Sequence, residues 1–458
     1  MKKELFSFLK KILIISFPII LQQLFLNFAS FLDTLMVGQL DPSSISGVYV
    51  ATQIIFVGSM MIFGSVEGAG VFFSQFYGKG NKQGLKNSYA LKYIFSLSIA
   101  ILETICIYVF GEQLASLFLN DQEALKIAVD YLQIVGFSII PFALSVTIAS
   151  TLREAHKTIP PTVITFVGII FNFVFNLLFI YGYLGFPKMG ASGAAIGTLI
   201  NRIIELILLV IYLTKLNPEF SQNFISSFKI EKTLFKKMTL ISLPLFFNET
   251  LWGLSQIVLV YFFTQADPIA TSVLPIVQTI YNLLFVVLLG LGTGITIVVG
   301  NKVGEGDFFS AQKQAFYTLS FTLVSCLILG VCMIVSADVV VSLFGGITST
   351  VQESSRLLLR FSAVTILLSG LNTTLFFLLR AGGRTEIVFL FDSFYCWIVS
   401  IPVAYILATF TNLSFESIYI IVYSIEIIKT FVGVILLLSK KWYKNLVYDY
   451  SSSQTVNN

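Results

Sequence analysis

The feature that most constrains this chain is the recurrence of apolar stretches of 20 or more residues, broken only by short polar connections. A run of that length crosses roughly 30 Å of hydrocarbon as a helix. Twelve spans are read near residues 12–37, 45–72, 89–110, 127–152, 159–184, 191–214, 239–264, 269–299, 314–336, 353–380, 386–410 and 415–439. No water inside a bilayer satisfies backbone N–H and C=O groups, so each span must be a helix or a strand of a closed barrel. Barrel strands alternate polar and apolar residues, and runs such as Leu206 to Leu213 do not. The expectation is an all-α membrane protein. A mean hydropathy of +0.89, with 56% hydrophobic and 11% charged residues, excludes an ordinary soluble domain.

The chain also repeats. Ser16-Phe17-Pro18-Ile19 returns as Ser242-Leu243-Pro244-Leu245, 226 residues on (244 − 18). Tyr77-Gly78-Lys79-Gly80-Asn81 returns as Val303-Gly304-Glu305-Gly306-Asp307 at the same offset (304 − 78). Leu152-Arg153 with Thr158 returns as Leu379-Arg380 with Thr385, at 380 − 153 = 227. The twelve helices therefore read as two six-helix lobes related by an internal repeat. Duplicated halves in a membrane protein point to a transporter whose site lies between the repeats.

Other function classes find little support. His156 is the only histidine, and Cys106, Cys326, Cys332 and Cys396 stand singly in spans, so no zinc spacing or disulfide framework forms. An intramembrane enzyme would need a nucleophile–base pair or metal ligands, and no prosthetic cofactor is expected. Lys2, Lys3, Lys10 and Lys11 precede an apolar run that continues to Val37 without a small-residue cleavage site. It reads as an uncleaved first helix rather than a signal peptide.

Of 28 Lys and Arg, 20 fall in the N-terminal segment, the even-numbered connections and the C-terminal segment, and Lys92 and Arg380 lie in the span ends that border those connections. The odd-numbered connections hold only Lys126 and Lys188. The positive-inside rule then places both termini in the cytoplasm, of a plasma membrane, and gives the net charge of +4 a better explanation than nucleic acid. Residues 1–214 and 239–439 form the expected lobes. Residues 215–238 link them, with Lys229, Glu231, Lys232, Lys236 and Lys237 alternating with Phe228, Ile230, Leu234 and Phe235, a pattern that suits a plain linker or a short interfacial helix. Residues 440–458 read as a disordered cytoplasmic tail.

Pro18 to Gly38, with Gln22-Gln23 and Phe31-Leu32-Asp33-Thr34-Leu35-Met36-Val37-Gly38, resembles the first helix of the multidrug and toxic compound extrusion (MATE) family. Phe247-Asn248-Glu249-Thr250-Leu251-Trp252 resembles its seventh helix, and Leu379-Arg380-Ala381-Gly382-Gly383-Arg384-Thr385 the turn after its tenth. Asn172-Phe173-Val174-Phe175-Asn176, Tyr181-Gly182 and Gly190-Ala191-Ser192-Gly193-Ala194-Ala195 resemble its fifth and sixth helices, and Lys440-Lys441-Trp442 its ending. The resemblance implies a two-lobed antiporter that exports amphiphilic, often cationic compounds in exchange for Na⁺ or H⁺ by alternating access. Two departures leave the coupling ion open. One branch pairs the seventh-helix acid with an acid in the tenth, where this chain reads Leu367-Leu368-Ser369-Gly370-Leu371-Asn372. Another carries Asp where this chain has Asn176.

A charge at mid-membrane costs about 2.5–3.5 kcal/mol on insertion scales, so each needs a reason. Asp33 has no basic neighbour one helical turn away and is read as a coupling carboxyl, the plainer alternative being a neutral acid hydrogen-bonded to another helix. Glu249 is read as a coupling or substrate residue; its repeat counterpart is Gln23 (249 − 226). Asn172 and Asn176, four apart on one helix face, either hold a cation with Asp33 or bridge helices; Thr198 is a weaker member of that set. Pro18 and Pro244 remove backbone hydrogen bonds and are candidate bending points. Arg202 with Glu205, and Glu426 with Lys429, are spaced to neutralise each other. Glu67 and Glu103 are expected to snorkel towards water, and Asp392 to complement the start of its helix. Gly64, Gly68 and Gly70, matched by Gly290, Gly292 and Gly294, allow bending or close packing.

The resulting expectation is a monomeric, cation-coupled exporter of small amphiphilic molecules, embedded in the bilayer, with no nucleic-acid partner. The alternative is a flippase for a lipid-linked or polysaccharide precursor.

Overall fold

A computed structural model describes residues 2–119, 121–221, 232–343 and 348–447. The linker residues Phe228, Lys229, Ile230 and Glu231, and the tail from residue 448 onwards, lie outside the described residues. The described chain is almost wholly helical, in the order α1 (Lys2–Val37), α2 (Pro42–Lys79), α3 (Lys82–Ser116), α4 (Gln122–Gly136), α5 (Ile139–Glu154), α6 (Ile159–Tyr181), α7 (Ala191–Leu216), α8 (Lys232–Ala266), α9 (Ala270–Glu305), α10 (Phe308–Leu343), α11 (Ser349–Ala381), α12 (Thr385–Phe389), α13 (Ile401–Phe410), α14 (Phe415–Ser424) and α15 (Glu426–Leu438). Two π-helical turns, Leu390–Phe394 and Cys396–Ser400, join α12 to α13. Among the described residues, 11 helical stretches are long and apolar enough to cross a membrane, and 12 result if α4 and α5, bent by 50° at Phe137-Ser138, count as one. The fourth span, read as residues 127–152, is thus a bent pair of helices.

Local chemistry explains the ends of these helices. Asp41 accepts from the backbone N–H of Ser44 at 2.7 Å and starts α2. Gly80, at φ 70°, ends α2 in the left-handed conformation that costs glycine no Cβ clash. Asn81 then caps α3 through the N–H of Gly84 at 2.8 Å. The same device recurs at Gly306, φ 82°, where Asp307 accepts from the N–H of Ser310 at 3.1 Å. The repeated Gly80-Asn81 and Gly306-Asp307 are therefore a stop signal followed at once by a start signal.

Two compact units result. One comprises Leu21–Thr250, the other Met1–Ile20 with Leu251–Asn458. Both α1 and α8 are continuous helices whose first part belongs to one unit and whose remainder belongs to the other; the changes fall two residues after Pro18 and six after Pro244. The glycine clusters show why each unit takes its borrowed segment. In the first, a Cβ on Gly68 of α2 would come within 2.6 Å of Ser242 Cβ, and one on Gly64 within 2.8 Å of Phe246 Cα. In the second, a Cβ on Gly290 would meet Ile20 Cγ1 at 2.4 Å, and one on Gly294 would meet Ser16 Oγ at 2.1 Å. Gly68 and Gly294, and Ser242 and Ser16, are repeat partners, so one close-packed joint has been built twice.

The core of the 21–250 unit runs through Met36, Ala51, Ile62, Ala100, Leu132, Val135 and Ala195. That of the other runs through Phe263, Val277, Met333, Leu358, Ile366 and Phe415. Outward surfaces are equally apolar, as in Val324, Leu327, Ile328, Val331 and Val335 along α10, the composition that lipid requires.

The chain after α15 departs from the tail expected there. Trp442 is fully buried and donates Nε1–H to Gln312 Oε1. The Lys444 N–H donates to Gly382 O at 2.6 Å, and Asn445 Nδ2 donates to Val303 O at 2.9 Å. Burying the indole and satisfying these carbonyls ties residues 440–447 to the ends of α9, α10 and α11.

Candidate functional site

Within the 21–250 unit, α1 and α6 bring three of the sequence candidates together. Asn176 Nδ2 donates to Asp33 Oδ1 at 2.6 Å and approaches Asn172 Oδ1 at 3.5 Å. Both asparagines are buried, Asn176 completely. They sit one turn apart on α6, so one face presents two amides to Asp33. Room for them comes from α7: a Cβ on Gly197 would lie 2.3 Å from Asn176 Oδ1. That oxygen is buried without a hydrogen-bond partner among the described residues. Thr198 follows Gly197 on α7. The Asn176 amino group thus lies between the Asp33 carboxylate and the Asn172 oxygen, oxygen groups of the kind that suit a proton or a hard monovalent cation.

Glu249 lies in the same unit, against α2, its Cβ 3.1 Å from where a Cβ on Gly64 would stand. None of the hydrogen bonds described for Asp33, Asn172 and Asn176 reaches it. Pro18 and Pro244 lie inside continuous helices, close to where α1 and α8 pass from one unit to the other.

Arg202 and Glu205 pair as their spacing suggests, at 3.0 Å, and the guanidinium lies 4.6 Å from the Phe142 ring centroid. The pair continues into a chain not legible in the sequence. Thr165 Oγ1 donates to Glu205 Oε1 at 3.1 Å, Gln22 Nε2 donates to Thr165 Oγ1 at 2.8 Å, and Arg153 Nη1 donates to Gln22 Oε1 at 3.0 Å. Thr165, one of two threonines on α6, carried no signal.

Four charges depart from expectation. Lys429 donates to Asp392 across helices, whereas Glu426 accepts from Asn372 Nδ2 at 3.3 Å; the π turn at Leu390–Phe394 carries Asp392 within reach of α15, so it does not serve as a helix-start acid. Glu103 does not snorkel: both carboxylate oxygens are buried without a hydrogen-bond partner among the described residues, beside Gly58, whose absent Cβ leaves them space.

Comparison with known proteins agrees with the duplicated fold. The MatE family model matches residues 18–178 and 244–406, stretches that begin at the repeated prolines. A probable multidrug resistance protein NorM of Bacillus cereus is 25% identical over 90% of this chain and 91% of its own. The uncharacterized transporter YisQ of Bacillus subtilis is 26% identical over 89% of each. The outward-facing conformation of a multidrug resistance MATE family transporter superposes with a TM-score of 0.86 at 18% identity, covering 94% of this chain and 96% of that one. With its repeat, helical spans and both halves matched, the chain belongs to the MatE family, the multidrug and toxic compound extrusion transporters, and is a membrane transporter and not an enzyme.

Proposed function

We propose that this transporter is a cation-coupled antiporter that exports amphiphilic, cationic organic compounds from the cell by alternating access. It works as a monomer in the plasma membrane, with both termini in the cytoplasm. The observation that carries the reading is the Asp33–Asn176 contact with its orphaned amide oxygen: an intramembrane acid held by an amide N–H, with no ion pair to it among the described residues. Asp33 takes up and releases the coupling ion, Na⁺ or H⁺, while Asn172 and Asn176 orient its carboxylate and offer further oxygens, and Thr198, next to Gly197, is a weaker member of the set. The names of relatives such as the multidrug resistance protein of Bacillus cereus support the substrate class. Bending at Pro18 and Pro244 is the motion assigned to α1 and α8.

The energetics suffice. One charge returning across 100 mV supplies about 2.3 kcal/mol, against about 1.4 kcal/mol for a tenfold substrate gradient. One-for-one exchange with a monovalent cationic drug moves no net charge, and then only the ion's chemical gradient counts.

Proteoliposomes loaded with a fluorescent cationic dye, with Na⁺ and H⁺ gradients imposed separately, test this directly. Asp33→Asn keeps the size and removes the titration, and is expected to abolish gradient-driven export while the protein still inserts and folds. Glu249→Gln is expected to impair transport less, since no acid occupies Leu367 to Asn372 of α11 to work with it. Wild-type rates in Asp33→Asn sink the assignment, whichever ion drives the protein.

A further inference from the structure

We infer that Arg356 and Arg360 of α11, set by Asp338 of α10, bind the phosphate of an anionic phospholipid on the lipid-facing side of the 251–458 unit. One carboxylate there serves two guanidiniums. Arg360 Nη2 donates to Asp338 Oδ1 at 3.1 Å and to Oδ2 at 3.0 Å, and Arg356 Nε stands 3.5 Å from the same Oδ1. That Nε is buried and has no hydrogen-bond partner among the described residues. Two guanidiniums carry more N–H donors than one carboxylate accepts, and the three charges sum to +1 (+2 − 1). The trio therefore has donors and positive charge to spare.

Its place in the fold says what meets it. Asp338 continues the exposed apolar stripe of α10, at i+7, i+4 and i+3 from Val331, Ile334 and Val335. On α11, Arg360 falls between the exposed Leu357 and Val364. The side chains of Asp338, Arg356 and Arg360 are 59%, 41% and 56% exposed, so they point out of the helix bundle. Arg356 and Arg360 lie seven and eleven residues after Ser349, where α11 begins (356 − 349, 360 − 349), about 10 and 16 Å along the helix. A helix of 33 residues is about 50 Å long and overshoots the roughly 30 Å of hydrocarbon at both ends. The arginines thus lie near the level of the headgroups. On the orientation proposed above this is the outer side, where the connections hold only Lys126 and Lys188. Two arginines placed against that bias call for an anion.

Stability does not account for the trio, because exposed ion pairs contribute little to it. A phospholipid does. Its phosphate offers paired oxygens to the forked guanidinium donors, and basic clusters on membrane helices hold such headgroups. Below the phosphate, the acyl chains lie along Ile328, Val331 and Val335 of α10 and Val364 of α11. A spare charge of +1 favours a headgroup with one negative charge, such as phosphatidylglycerol, over zwitterionic phosphatidylcholine. The other acids at this end of the unit stand apart: Glu416 of α14 accepts from Ser354 Oγ, and Glu353 lies nearer the start of α11, towards water.

The test titrates the detergent-purified full chain with phosphatidylglycerol, phosphatidylcholine or inorganic phosphate, counting retained lipid by native mass spectrometry and following the thermal midpoint. Wild type is expected to retain phosphatidylglycerol in preference to phosphatidylcholine and to be stabilised by it. Arg356→Gln and Arg360→Gln should each weaken the apparent affinity about fivefold, the effect of one basic residue at an anionic membrane surface. Asp338→Asn releases both guanidiniums and should tighten binding. If Arg356→Gln/Arg360→Gln fails to fold with Asp338 stranded, Arg356→Gln/Arg360→Gln/Asp338→Asn, which leaves no charge unpaired, is read instead and should hold the two lipids alike. Equal affinity for phosphatidylglycerol in wild type and the arginine variants overturns the inference, as does equal retention of the two lipids by wild type. Inorganic phosphate that stabilises as well as phosphatidylglycerol marks a site for free anions and overturns the lipid assignment. Asp33→Asn is expected to bind phosphatidylglycerol as wild type does, so lipid binding and ion coupling are judged separately.

Discussion

At the scale of single residues, a buried lysine of this protein is held by an acid on another helical segment. Lys429 is almost wholly buried and its ammonium is matched by Asp392. Removing one partner of a buried pair strands the other, which costs about 3–5 kcal/mol, whereas removing both is far less harmful. Lys429→Met should therefore lower the thermal midpoint of the detergent-purified protein markedly. Lys429→Met/Asp392→Asn should recover most of the loss, a result checked by a double-mutant cycle; equal loss in single and double variants would refute the pairing. The i, i+3 spacing of Glu426 and Lys429 was visible in the sequence, but spacing states only which residues are able to meet. Asp392 was hidden because a π turn, which no local pattern announced, decides where it points.

At the scale of elements, capping and small-residue packing do most of the work. The N–H of Ser44, together with its hydroxyl, holds the Asp41 carboxyl below its ordinary range. A depressed carboxyl stabilises the fold above its ordinary value, near 3.9, and the contribution is lost as pH falls through the folded value. Asp41→Ala should cost about 1 kcal/mol at neutral pH, as N-caps do, and less in strong acid, where the wild-type cap is itself protonated. Thermal melts at the two pH values decide this. The glycine joints are less forgiving. Gly68→Val and Gly294→Val each push a branched side chain into a neighbouring backbone or hydroxyl, and overpacking of this kind costs about 1–3 kcal/mol. Because the two joints are repeat partners, both variants should melt earlier, whereas Val at Gly80, where nothing stands within 4 Å, should act through its positive φ instead.

At the scale of the whole molecule, the decisive fact is that each unit includes the first part of a helix that begins the other half of the chain. Two fragments cut in the connection between α7 and α8 each lack a segment their unit needs. Expressed alone, they should be protease-sensitive; expressed together, they should co-purify and resist proteolysis. Stable separate halves would contradict the exchange of segments. Much of this architecture was legible beforehand for local reasons. Apolar length makes the spans, because unpaired backbone is not tolerated in lipid, and the offset of 226 between Pro18 and Pro244 announces the duplication. Gly80-Asn81 and Gly306-Asp307 end and begin helices by their own chemistry. Partner choice was not legible, since lipid is as apolar as a protein core and a span with two apolar faces does not say which faces inward. Asn176 against Asp33, Thr165 bridging Gln22 and Glu205, Lys429 on Asp392, and Trp442 folded back beneath Gly382 exist only once helices distant in sequence have packed. The sequence by itself determined the helices and their duplication because those depend on neighbours in the chain; tertiary structure alone decided which buried polar groups satisfy one another.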